Sequence, residues 1–191
     1  MTELSIYGKN GFFHNIVKAS AIMKGNYAVL EKGSHDLNMN NLLTNLDLPK
    51  DKYPGVFCLP PVSEVPGSTA QWETFNFRLL FLCTTYSTGD NKTKLPDRNT
   101  NSSLAKIVGD WNAMKNVGLA FMHAVEKRKL EGFRLVQGTP WRIPRISIAQ
   151  NDNLSGVMLM FSAQLYSACD YSDIDLANIQ DPFVNEQPTY H

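Results

Sequence analysis

Four histidines and three cysteines are the side chains of this sequence best suited to hold a metal or act as nucleophiles, and their spacing argues against both roles. His14, His35, His123 and His191 form no H-x-x-x-H pair and have no carboxylate at metal-ligand spacing. Cys58, Cys83 and Cys169 are odd in number and far apart, which fits neither a disulfide framework nor a C-x-x-C metal site. They read as free thiols in the interior. Ser34-His35-Asp36 contains the residue types of a hydrolase triad, but adjacent residues do not present the mutual geometry a triad needs, so the tripeptide reads as a turn. The sequence has neither G-x-G-x-x-G after a strand pattern nor G-x-x-x-x-G-K-[ST], and a nucleotide is left without a phosphate cradle. The expectation is a chain that is not an enzyme and uses no metal or cofactor.

Charge is the chemistry that remains. Lys127, Arg128, Lys129, Arg134, Arg142 and Arg145 are opposed within their segment only by Glu131, and Trp141 lies among them. Such a segment suits contact with phosphate backbones or an acidic protein surface, and it equally suits a solvated face at a helix end. Beyond Asp170 the balance reverses: Asp173, Asp175, Asp181 and Glu186 occur without a Lys or Arg. Ile174, Leu176, Ile179 and Phe183 are interleaved with them, so an acidic arm docking on an adjoining molecule, against part of the basic segment, is expected. Apolar side chains would supply most of that affinity, since exposed ion pairs contribute only about 0–1 kcal/mol each. An intramolecular contact explains the same pattern. Lys+Arg and Asp+Glu both number 18, so no global field draws the chain to nucleic acid or anionic lipid.

The elements that must position these residues follow from periodicity. With 191 residues, 43% hydrophobic and 19% charged, the chain is long enough for one globular core. Phe12, Phe13, Ile16, Val17 and Met23 share one helical stripe between Gly11 and Lys24, with Gly25 as the stop. Leu42, Leu43 and Leu46 suggest a second short helix over Leu37 to Leu46. Tyr53 to Leu59 reads as a strand bounded by Pro54 and by Pro60-Pro61. Glu73 to Tyr86 is the clearest strand: Phe75, Phe77, Leu79, Phe81 and Cys83 alternate with Thr74, Asn76, Arg78 and Thr84.

Ser87 to Ser103 is polar, reads as a long exposed loop, and is expected to become ordered against a neighbouring subunit. Leu104, Ile107, Val108, Trp111, Met114, Phe121, Met122 and Val125 then define the principal helix, from an N-cap at Ser102 or Ser103 to about Leu130, with Gly132 near its end. Gly118 lies on its apolar side, where a missing side chain would admit a close neighbour. Phe133 to Val136, Arg142 to Ala149 and Leu154 to Cys169 read as strands, the last two joined by a turn at Gln150 to Asn153. Met1 to Gly11 lacks the pattern of a secretory signal, and the most hydrophobic run, Phe75 to Cys83, contains Asn76 and Arg78. A protein on the cytoplasmic side without a membrane span is expected. The fold class is α+β: an antiparallel sheet with the long helix and the N-terminal helix packed on one face. Residues 1–170 form the domain and 171–191 the arm.

This order of elements resembles the tail-terminator or tail-completion proteins of tailed bacteriophages. Tyr53-Pro54-Gly55-Val56-Phe57, Phe75-Asn76-Phe77-Arg78-Leu79, the helix at Trp111 and Gly156-Val157-Met158-Leu159-Met160-Phe161 carry the resemblance, over about three fifths of the chain. The Asn-rich, Lys- and Ile-containing composition is similar to structural proteins of phages infecting Bacteroidetes, including the crAss-like group with its stacked neck rings. The resemblance implies a structural virion protein, assembled in the host cytoplasm into a homo-oligomeric ring of the neck, head–tail connector or tail end. Its partners would be other neck, portal or tail proteins, with DNA passing through the ring lumen and no catalysis. Two other readings stand beside it: a small nucleic-acid-binding adaptor using residues 127–145, and a small hydrolase.

Overall fold

Period-two and helical segments alternate along the chain, and the elements follow them. In the computed structural model, residues 4–23, 25–30, 53–64, 72–84, 101–148 and 154–166 are described. They comprise α1 (Leu4–Tyr7), α2 (Phe12–Lys18), β1 (Tyr27–Val29), β2 (Gly55–Glu64), β3 (Trp72–Thr84), α3 (Asn101–Lys127), β4 (Phe133–Leu135), β5 (Arg145–Ile148) and β6 (Leu154–Tyr166). The result is an α+β fold with a six-stranded sheet ordered β1-β2-β3-β6-β4, in which β5 also pairs with β6. The long β3 and β6 strands are antiparallel partners from Trp72↔Tyr166 to Thr84↔Leu154. On the other side of β6, β4 and β5 lie end to end, with Arg142 bridging to Met160 between them. They act as one interrupted edge strand. β1 pairs parallel to β2, so the sheet is mixed and not wholly antiparallel.

Alternation divides the sheet into two faces. On the helical face, Phe75, Phe77, Leu79 and Phe81 of β3 and Val157, Leu159, Phe161, Ala163 and Leu165 of β6 meet Met114, Val117, Phe121, Met122 and Val125 of α3. Phe13 of α2 lies within aromatic contact of Phe77, Phe121, Phe133 and Phe161, at centroid distances from 5.2 to 6.2 Å. Edge-to-face pairs of this kind add about 0.5–1.5 kcal/mol each beyond area burial, and with Ile16 and Val17 also buried they fasten α2 to the sheet and to α3. The far face is divided along its length. At one end Leu30, Phe57, Leu59, Leu80, Leu82 and Leu154 form a second buried cluster; at the other the side chains are polar.

Several boundaries differ from those the sequence suggests. The N-terminal helix stops at Lys18 with Ala19 as C-cap, and a turn in which the Met23 N–H donates to Ser20 Oγ at 3.3 Å brings Met23 back into the core. The strand after Tyr53 does not end at Pro60-Pro61 but continues to Glu64. The register passes from Leu59↔Arg78 to Val62↔Asn76, so both prolines face the single residue Phe77 in a bulge. A bulge leaves positions out of the ladder, which is where residues without an N–H are tolerated. The principal helix starts at Asn101, placing Ser102 and Ser103 inside its first turn instead of at the cap, and Leu104 and Val108 are exposed at its start. A Cβ on Gly118 would sit 3.8 Å from Phe81 Cδ2, an ordinary contact, so no unusually close approach is made there. The expected helix at Leu37 to Leu46, almost all of the Ser87–Ser103 loop, the turn at Gln150 to Asn153, and the arm 171–191 with Ile174, Leu176, Ile179 and Phe183 lie outside the described residues.

Candidate functional site

The polar half of the far face is built by three transverse rows of side chains. Residues directly opposite one another across antiparallel strands share a face, so β4, β6, β3 and β2 contribute in turn. In the first row Arg134 Nε donates to Gln164 Oε1 at 2.7 Å, and Gln164 Nε2 donates to Thr74 Oγ1 at 3.3 Å. The Arg134 guanidinium also lies 4.0 Å from the Trp72 ring centroid. In the second row Ser162 Oγ donates to Asn76 Oδ1 at 2.6 Å, and Asn76 Nδ2 donates to Glu64 Oε1 at 2.9 Å. Donors and acceptors alternate in both rows.

The third row is different. Arg78 of β3 and Arg142 of the edge both stand opposite Met160 of β6, one on each side. Both guanidiniums are donors only, and Met160 offers them no charge. His123 Nδ1 pairs with Glu126 at 3.5 Å on α3, and no ion pair joins Arg78 or Arg142 to another described residue. Around Arg78 and Arg142 a cleft of about 220 Å³ is lined by Asn76, Ser162, Met160, Thr139 and Pro140, with no carboxylate among the described lining residues. Thr139 and Pro140 belong to the excursion between β4 and β5: Val136 N–H donates to Ser162 O and the chain rejoins β6 only at Arg142. That interruption forms one wall of the cleft.

The basic segment is therefore dispersed over three places. Arg134 and Arg142 share the far face. Arg145 stands opposite Val157 on the helical face, with its guanidinium 5.2 Å from the Trp111 ring centroid. Trp111 is fixed by donating its indole N–H to Ile146 O at 2.7 Å. Lys127, Arg128 and Lys129 are exposed at the end of α3, and Trp141 packs against the main core. Arg78, which completes the cleft, was read from sequence only as part of a polar alternation. Its signal was a charged residue in the middle of the most hydrophobic run of the chain.

A second concavity lies on the helical layer. Between α2, the turn at Ala19 to Met23, and α3, a groove of about 550 Å³ has Val56 and Phe81 as part of its lining and Ala113, Val117, Ala120 and Ala124 along α3. Arg128 is the one charged residue among its described lining residues. Ile22, 54% exposed, stands at its margin.

The thiols and imidazoles are engaged in the fold. Cys58 Sγ donates to Leu59 O and Cys83 Sγ to Ser155 O, both at 3.4 Å. Burial pushes both thiols up to about 12, and the nearby Asp110 carboxylate adds to the effect at Cys83. Tyr27 is likewise raised, first by burial and then by the neighbouring Cys58, and its hydroxyl donates to Tyr7 O at 2.6 Å. His14 Nδ1 accepts the Asn10 N–H at 2.7 Å and its ring stacks on Tyr27. Among the described residues no three His, Cys, Asp or Glu side chains group to hold a metal ion, and no helix is long and apolar enough to cross a membrane. His35, His191 and Cys169 lie outside the described residues. No protein-family model matches the chain, and no curated protein matches it.

Proposed function

We propose that this chain is a structural assembly subunit, without catalysis, that associates with copies of itself into a ring in the neck, head–tail connector or tail end of a tailed bacteriophage virion. The observation that carries the reading is the presence of two unlike recognition surfaces on opposite sides of one sheet: the apolar α2–α3 groove and the arginine-lined cleft. Because they lie on opposite sides of the sheet, the two cannot both fall within one two-fold contact; each receiving a different part of a neighbouring copy supports head-to-tail association, which closes into a ring when the rotation permits. The order of elements that carries the resemblance to tail-terminator proteins supports the same assignment. Neighbouring rings, the portal or tail proteins would contact the faces the ring leaves free, and DNA would pass through the lumen. Native mass spectrometry with negative-stain imaging of the purified protein tests this: a closed homo-oligomer supports it and a persistent monomer overturns it.

One observation favours a second reading, a nucleic-acid-binding adaptor. Arg78, Arg134 and Arg142 share a sheet face with the aromatic ring of Trp72, a combination that suits phosphate and base contacts. That reading requires salt-dependent duplex or single-strand binding by the isolated protein, with a slope that falls when Arg78 and Arg142 are neutralised.

A further inference from the structure

We infer that the cleft at Arg78 and Arg142 is an oxyanion site whose occupant is the acidic C-terminal segment of this chain, residues 167–191, bound through its carboxylates. The inference begins with the hydrogen-bond arithmetic of the far face. The first two rows match donors to acceptors within the sheet. The third places two donor-only guanidiniums on either side of Met160, in a cleft whose other polar lining comes from Asn76, Ser162 and Thr139. Arg78 is half-buried, between Leu59 of β2 and Met160 of β6. A guanidinium partly removed from water and facing apolar neighbours calls for an anion, and its planar fork favours a carboxylate or phosphate group.

Charge selects the carboxylate. Asp170, Asp173, Asp175, Asp181 and Glu186 are five of the 18 acidic residues, so residues 1–166 hold 13 of them against all 18 Lys and Arg. The neutrality of the whole chain is thus a basic body and an acidic tail. A nucleic-acid partner would leave that tail without a counterpart and would be repelled by it. Position agrees with charge. The tail departs from Tyr166, which stands on the far face opposite Trp72, with their rings 5.4 Å apart. Met160 is six positions back along β6, about 20 Å at strand rise. Asp173 follows Tyr166 by seven residues, a reach of about 24 Å. The first carboxylates of the tail therefore come within range of Arg134, Arg142 and Arg78 in turn.

The test uses the full-length protein and an arginine-selective dicarbonyl, phenylglyoxal, with modification read residue by residue by mass spectrometry. Arg145, on the opposite face, serves as the internal control for folding. In the variant D170N/D173N/D175N/D181N/E186Q, modification of Arg78 and Arg142 should accelerate by about fivefold or more while Arg145 is unchanged, because the charge-assisted bonds that shield them are gone. Raising NaCl to about 0.5 M should accelerate the same two positions in the unsubstituted chain. A synthetic peptide of residues 167–191 should restore protection to the variant. Equal rates at Arg78 and Arg142 in both proteins would overturn the inference, as would protection that appears only when duplex DNA is added. Because oligomer mass is measured separately, a ring with unprotected arginines defeats this inference and leaves the assembly reading standing.

Discussion

Gly156 is the residue on which the central strand pair most depends. It stands opposite Leu82 in the β3–β6 ladder, and a Cβ there would lie 1.9 Å from Phe81 O, a backbone atom that cannot rotate aside. Gly156→Ala should therefore destabilise the fold by about 3 kcal/mol, the upper end of ordinary overpacking, measured by urea unfolding. Phe77→Ala or Phe81→Ala should cost about 3–5 kcal/mol, since both side chains are buried to within 1%. Thr74→Ala removes only a half-buried acceptor of one 3.3 Å bond and should cost about 1 kcal/mol or less. Equal losses at these sites would contradict the facing of β3. The alternation of the phenylalanines was legible in sequence. The burial of Leu80 and Leu82 on the other face was not, because past Arg78 the strand is apolar on both sides and period two no longer separates them. The two shifted thiols give a pH dependence of known sign. The native state keeps Cys58 and Cys83 protonated to about pH 12, whereas an unfolded thiol ionises near about 8.5. As pH rises the unfolded state holds fewer protons, so stability should be level below about pH 8 and fall between about 9 and 12. Cys58→Ala should weaken that fall in denaturant midpoints, and a midpoint that rose with pH would contradict the assignment.

At the scale of elements, α3 shows how a stripe read from sequence divides into separate tasks. Met114, Phe121, Met122 and Val125 bury as their spacing requires, while Leu104 and Val108 remain 47% and 39% exposed. The same periodicity thus marks residues that pack within the chain and residues left at its surface. Periodicity alone does not say how far the opposing sheet extends. The groove between α2 and α3 was also hidden, because its α3 side includes Ala113, Ala120 and Ala124, which carry little hydrophobic signal, and because α2 ends early. Likewise the β2 bulge was read as a strand end, since prolines signal both. Ala120 is exposed and lines the groove, which makes it a clean probe of that element. Ala120→Arg should leave unfolding free energy within about 0.5 kcal/mol of the original. It should weaken self-association by at least about tenfold if the groove receives a neighbouring copy. Sedimentation velocity reads the association, and unimpaired assembly would remove the groove from the interface.

For the whole molecule, the sheet separates two surfaces of different chemistry, and the chain separates its charge into a basic body and an acidic end. The basic segment that looked continuous in sequence is split by the fold, because neighbouring positions on an edge strand point to opposite faces and the end of α3 belongs to another layer. What sequence conveyed was the presence of unbalanced charge; what the fold adds is that Arg134 and Arg142 of that segment share the far face, and that Arg142 is joined at the cleft by Arg78 from a distant strand. In the proposed ring the α2–α3 groove would receive a neighbouring copy, while the arginine cleft would hold an acidic tail. The most direct test is the mass of the purified full-length protein by native mass spectrometry, imaged in parallel by negative stain. The account predicts one discrete species, an integral multiple of 21.4 kDa with at least three copies and an annular outline. A 21.4 kDa monomer at every concentration, or a two-fold dimer that grows no further, would contradict it.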